Sequence, residues 1–168
     1  MTDSAHTRRQ GGFTLVEALV ALTLLTVGLV PAFLQASQAV SLSASIRNSL
    51  TASHLAQEGA EVVRAIRDAN WIGGLPFDQG LDCLAGCEVQ WNSDEVISDG
   101  GRSIPALRYD EGSGLYQYDG GDDSPFRRQI IIEPIATGHL KVTSRVTWTE
   151  RSNQKEFSLE MHLYDWLQ

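Results

Sequence analysis

Residues 13–34 read FTLVEALVALTLLTVGLVPAFL, 22 residues with Glu17 as their one ionisable group. As a helix rising about 1.5 Å per residue, the run would extend roughly 33 Å, enough to cross the hydrocarbon core of a bilayer. A helix at the edge of a soluble core would be apolar on one face only. A cleaved secretory signal has an apolar region of about 7–15 residues closed by a small-residue site. This run is longer, carries Glu17 near its start and is followed only by a weak Leu34-Gln35-Ala36. Arg8 and Arg9 precede it, and the next basic residue is Arg47. The basic side stays in the cytoplasm, so the rest of the chain is expected outside. The arginine pair is not read as a twin-arginine signal, because Gly11 and Gly12 stand where apolar residues would follow.

The order of residues at the start of the run is more specific than its composition. Gly12-Phe13-Thr14-Leu15-Val16-Glu17 resembles the processing motif of type IV prepilins and of the pseudopilins of type II secretion. The resemblance covers about residues 8–35, and the later VGLVPAFLQ is most similar to the PilV-like minor pilins. It implies that a membrane aspartyl protease cuts after Gly12 and that the new amino-terminal Phe13 is N-methylated. The basic leader, residues 1–12, is then removed and the apolar helix is retained.

Glu17 needs a physical account. A carboxylate near the centre of a membrane span is unfavourable by about 3 kcal/mol. Glu17 is four residues past Phe13, roughly 6 Å along the helix. Cleavage would create a cation in the same layer, the free amine of Phe13. Within one straight helix the two lie more than a turn apart, whereas a neighbouring subunit shifted along its axis brings its amine to the carboxylate. The pilin resemblance implies this role for Glu17 during assembly.

Gly28 and Pro31 interrupt the apolar run. Proline removes a backbone donor and crowds the preceding turn, so a kink or a locally melted stretch is expected there. Residues 13–36 are read as the transmembrane and assembly half of a long helix, and 37–70 as its amphipathic half. Within the second half, Ile46, Leu50, Leu55, Val62, Val63 and Ile66 form an apolar stripe with spacings mostly of three, four or seven. Gln57, Glu58, Glu61, Arg64, Arg67 and Asp68 occupy much of the remaining surface. The helix should end near Asn70-Trp71, before Gly73 and Gly74. The segment LAQEGAEVVRAIRDANW also resembles the corresponding stretch of minor pilins.

Residues 71–125 are rich in Gly, Asp and Ser and read as an irregular connection with one or two hairpins. Cys83 and Cys87 close a small loop there. The domain should face an oxidising compartment, so a disulfide is expected, contributing about 2 kcal/mol in the loop-entropy model. From Phe126 onward, β-branched and aromatic runs alternate. Leu140, Val142, Ser144, Val146 and Trp148 share one face of a strand, and Phe157, Leu159, Met161 and Leu163 share one face of the next. Turns at Thr137-Gly138 and Arg151-Ser152-Asn153 make residues 126–168 an antiparallel meander. Its apolar face requires the amphipathic helix as cover. The fold class is therefore α+β, a long N-terminal helix packed on a C-terminal antiparallel sheet, the same order that the pilin resemblance implies.

Composition excludes several functions. The chain has 168 residues and a net charge of −8, an acidic excess that argues against nucleic-acid binding. Two cysteines are too few for a four-cysteine zinc site. No phosphate loop, HExxH or GxSxG is present, so no enzyme and no cofactor are expected. His6, His54, His139 and His162 are scattered in sequence. Asp119, Asp122 and Asp123 are a weak calcium candidate without the ligand spacing of an EF-hand loop. Tyr116 and Tyr118 are candidates either for exposed partner contacts or for packing in the core or a hairpin. The expected function is that of a minor pilin subunit of a type IV pilus. Its partners would be other pilin subunits through the N-terminal helix, the prepilin peptidase and an inner-membrane assembly platform. The alternatives are a minor pseudopilin of a type II secretion system and a membrane-tethered extracytoplasmic binding module.

Overall fold

A computed structural model describes residues 12–98, 100 and 102–166. The fold is α+β: one long N-terminal helix, α1 (Leu15–Ile72), followed by antiparallel sheets. Two compact units divide the chain, Met1–Ala44 and Ser45–Gln168.

In the first unit, α1 runs without interruption through Gly28 and Pro31. The locally melted stretch expected from the sequence is absent. Proline in the interior removes one main-chain hydrogen bond, and an apolar helix tolerates this where its other bonds persist.

In the second unit, three long strands form the meander: β6 (Arg127–Ala136), β7 (His139–Glu150) and β8 (Asn153–Tyr164). Leu140 pairs with Leu163, Val142 with Met161, Ser144 with Leu159 and Val146 with Phe157, so the two alternating faces coincide. Two short strands, β1 (Cys87–Glu88) and β2 (Ile97–Ser98), extend the sheet in the order β2-β1-β6-β7-β8. A second small sheet has the order β4-β3-β5, from β3 (Arg108–Asp110), β4 (Leu115–Gln117) and β5 (Asp122–Asp123). The helix ends in a Schellman motif. Leu75 N–H donates to the Asn70 carbonyl at 2.9 Å and Gly74 N–H to the Trp71 carbonyl at 3.1 Å, with Gly74 at φ +66°.

The buried face of α1 differs from the stripe read in the sequence. Ile46 and Leu50 are exposed, and burial begins at Ala52, continuing through Leu55, Ala56, Gly59, Ala60, Val63, Ile66 and Asn70. Small residues dominate because the helix lies close to the sheet. A Cβ built on Gly59 would meet Ser144 Oγ at 2.8 Å, Arg128 Cδ at 2.9 Å and Ile130 Cδ1 at 3.0 Å.

That contact lies on a polar seam. On one side, Val63, Ile66, Ile130, Ile132 and Val142 cluster with the disulfide. On the other, Ala52, Leu55, Ala56, Phe126, Val146 and Trp148 form a second cluster. Between them sits Arg128, 0% exposed. Its Nη1 donates to the Leu55 carbonyl at 3.1 Å and to Glu58 Oε1 at 2.9 Å, and its Nη2 donates to the Val89 carbonyl at 2.6 Å. One guanidinium thus links the helix to strand β6 and to the segment following β1.

Gly59→Ala gains up to about 1 kcal/mol of helix propensity. Forcing the helix off the seam costs more, about 1–3 kcal/mol. Thermal unfolding should therefore show net destabilisation, partly restored in Gly59→Ala with Ser144→Ala, which removes the nearest atom. A stabilised single variant would contradict this packing.

Candidate functional site

Leu15 begins α1, and Thr14 caps it. The Thr14 carbonyl accepts from Ala18 N–H at 3.1 Å, and the Thr14 hydroxyl accepts from Glu17 N–H at 3.2 Å. Thr14-Leu15-Val16-Glu17 therefore has the spacing of a capping box, with Glu17 at the third helical position. A carboxylate in the first turn also meets the positive end of the helix macrodipole. Gly12 has nothing within 4 Å of where a Cβ would stand, and Phe13 is 74% exposed. Every residue from Gly12 to Val40 is exposed. Among the described residues, α1 is one helix long and apolar enough to cross a membrane, with a mean hydropathy of 2.1 over its most apolar stretch. Arg8, Arg9 and His6 lie outside the described residues.

Cys83 and Cys87 form a disulfide and are 4% and 0% exposed. The bond lies within the apolar cluster. Cys87 pairs with Ile130, and Ile132 N–H donates to the Cys83 carbonyl at 2.6 Å. The bond therefore anchors the connecting segment against β6.

The acidic residues are differently disposed. Asp119 is exposed, while Asp122 and Asp123 form β5. Asp123 is paired with Arg108, Oδ1 to Nε at 2.9 Å. Among the described residues, no group of three or more His, Cys, Asp or Glu is disposed to hold a metal ion. His139 and His162, distant in sequence, are brought together by the β7–β8 register: Nε2 of one lies 2.7 Å from Nδ1 of the other. Glu160 Oε1 lies 3.2 Å from the second ring nitrogen of His162.

Of the two readings of Tyr116 and Tyr118, packing against the core is the one the structure shows. Both are partly buried against the second core cluster. The Tyr118 hydroxyl donates to the Arg128 carbonyl at 3.3 Å. Burial pushes its phenol up to about 12 from an ordinary 10.0, against the opposing pull of the Arg128 charge. Burial also raises the Tyr116 phenol.

Residues 7–33 match the family model of the prokaryotic N-terminal methylation motif. The match supports a place among the type IV pilins and pseudopilins. No curated protein and no solved structure matches the chain. A methylation motif at the head of an exposed apolar helix points to a structural subunit rather than an enzyme. It implies prepilin-peptidase processing and assembly with other pilin subunits, and it is consistent with membrane anchoring.

Sequence reasoning missed Thr14, although a Thr followed three residues later by Glu before an apolar run is a recognisable start signal. It also missed Arg128, which sits in FRRQIII where a charged residue reads as solvent-facing.

The raised Tyr118 value has a definite sign. A group whose proton is held more tightly in the folded state contributes fully below about pH 10, and the contribution is lost as pH rises toward 12. The shift corresponds to about 2–3 kcal/mol. Tyr118→Phe should cost about 1 kcal/mol at neutral pH through the lost hydrogen bond, yet flatten the alkaline loss of stability. Unfolding midpoints measured from neutral to strongly alkaline pH test this. Parallel curves for the two proteins would exclude the coupling.

Proposed function

We propose that the chain is a minor pilin of the PilV-like group, cut after Gly12, N-methylated at Phe13 and assembled from the inner membrane into a type IV pilus. The observation that carries the proposal is the sequence Gly12-Phe13-Thr14-Leu15-Val16-Glu17 placed where an exposed apolar helix begins. In this reading residues 1–12 are the removed leader, 13–36 the membrane and assembly segment, 37–70 the helix that carries the sheet, 71–125 the disulfide-tied connection and 126–168 the meander. Before assembly the globular part lies outside the cytoplasm. Its partners are the peptidase, the inner-membrane platform and neighbouring pilins.

The mechanism uses two charges that are costly in hydrocarbon when separate. Cleavage frees the Phe13 amine, and Glu17 of an adjacent, axially shifted subunit neutralises it. The pairing stabilises one longitudinal offset between subunits and disfavours the others. Within its own helix Glu17 is already favoured by the capping geometry, so the variants must separate capping from charge. Gln serves in a capping box as Glu does, but it carries no charge to meet the amine.

Mass spectrometry of the protein from peptidase-bearing membranes should show a mature terminus at Phe13 carrying one methyl group. An intact Met1 terminus would assign the chain instead to a membrane-tethered module that keeps its leader.

Glu17→Gln and Glu17→Ala should both be processed normally yet be strongly depleted from sheared filaments relative to the membrane pool. The expected basis is the loss of one partner of a buried pair, typically worth about 3–5 kcal/mol. Glu17→Asp should fall between these variants and wild type. Normal incorporation of Glu17→Gln would eliminate the charge pair, and loss confined to Glu17→Ala would assign the residue to capping alone.

A further inference from the structure

The outer face of the main sheet, opposite the face that covers α1, carries a polar groove of about 330 Å³. Strand alternation puts Arg127 and Gln129 of β6, Arg145 and Thr147 of β7, and Glu156 of β8 on this face, and Arg102 forms part of the rim. Gln129 stands opposite Arg145, Arg127 opposite Thr147, and Thr147 opposite Glu156. The side chains therefore form one contiguous patch across three strands.

The charge balance of the patch is opposite to that of the chain. Overall the chain carries −8, yet four arginines line this groove against one carboxylate, Glu156; Arg128 is fully buried and paired with Glu58 on the helix side, which leaves Arg102, Arg127 and Arg145 to the groove. Glu156 Oε1 lies 3.6 Å from Arg145 Nε, a loose ion pair between partly exposed side chains that leaves the buried Nε without a hydrogen bond among the described residues. Surface pairs of that kind contribute little and are readily exchanged. Arg127 donates through Nη1 to the Ile104 carbonyl, which fixes the guanidinium against the rim without neutralising its charge. Lys141, on the same sheet face, is by contrast closely paired: its Nζ lies 2.5 Å from Glu133 Oε2. The groove is thus a local excess of positive charge on a sheet where neighbouring charges are balanced.

We propose that this groove binds a small polyhydroxylated anion, a sugar phosphate or sugar acid. Guanidinium groups recognise the planar or trigonal oxygens of carboxylate and phosphate through paired N–H donors. Gln129 and Thr147, with Ser103 and Gln154 at the margins, supply neutral donors and acceptors that match hydroxyls rather than further charge. The one aliphatic side chain in the lining, Ile104, is itself buried, so the groove lacks the apolar pockets that anchor peptide side chains. Its size admits a single small ligand rather than a polymer lying across the sheet. In such a complex the ligand's oxyanion displaces Glu156 from Arg145, and Arg127 closes on the same oxyanion. The site is confined to the globular unit and does not depend on the filament reading.

The test is a titration of the full-length protein in neutral detergent micelles, followed by calorimetry. The probes are glucose 6-phosphate and glucuronate, with glucose, inorganic phosphate and an oligoglutamate peptide alongside. Saturable binding of one or both sugar anions is expected, about tenfold tighter than glucose or phosphate alone, and which of the two binds identifies the oxyanion. Arg145→Gln and Arg127→Gln should each weaken binding by about tenfold, the effect of losing one charged hydrogen-bonding partner. Glu156→Gln should tighten it several-fold by removing the internal competitor, a gain that general damage to the fold would not give. The proposal is overturned if neither sugar anion saturates, if inorganic phosphate binds equally well, if both arginine variants bind as wild type, or if oligoglutamate binds more tightly than either sugar anion.

Discussion

A fully buried guanidinium leaves few ways for a helix and a sheet to meet. Arg128 has been removed from water, and its charge is compensated by two main-chain carbonyls and one carboxylate drawn from two separate segments, α1 and the stretch after β1. Sliding the helix by one turn would move the Leu55 carbonyl and Glu58 out of reach and leave a charge unmet in an apolar interior. Gly59 makes the arrangement possible by letting the helix backbone come down onto Arg128 and Ser144. Apolar packing on either side supplies most of the burial, but packing alone is non-directional. The polar seam between the two clusters is what distinguishes one register from its neighbours.

The N-terminal segment follows another logic. Its apolar surface is fully exposed in the isolated chain, and its order comes from main-chain hydrogen bonds and from the Thr14 cap rather than from tertiary contacts. A helix of this kind is a finished element awaiting an apolar environment, whether lipid or the equivalent helices of other subunits. Glu17 belongs to both settings. Its position in the first turn suits the helix itself, and in the proposed assembly its charge meets a neighbour's amine.

Much of this was legible in the sequence, and the gaps have physical reasons. The apolar run and the Gly12–Glu17 pattern are local, so they can be read directly. The alternation in β7 and β8 is also local, and the side chains it assigned to the interior are buried or partly buried. The helix face was misread at Ile46 and Leu50 because hydrophobicity marks large side chains, whereas the interface was selected for close approach and uses Ala52, Ala56, Gly59 and Ala60. Arg128 could not be read because its burial depends on carbonyls contributed by residues remote in the chain. The two-residue strands β1 and β2 and the meeting of His139 with His162 likewise exist only through pairing across the fold.

The position of the disulfide sets an order of events. Cys83 and Cys87 are four residues apart and meet inside the apolar cluster, where both residues are almost wholly buried. Thiol–disulfide exchange requires an attacking thiolate to reach a sulfur atom. In the finished domain that approach is closed, whereas in the extended chain the two thiols are near neighbours and freely reached. Oxidation therefore belongs to the period before the core closes. Afterwards the bond is shielded from reductants for as long as the surrounding core stays shut, so its lifetime is governed by opening of the domain rather than by the redox poise outside.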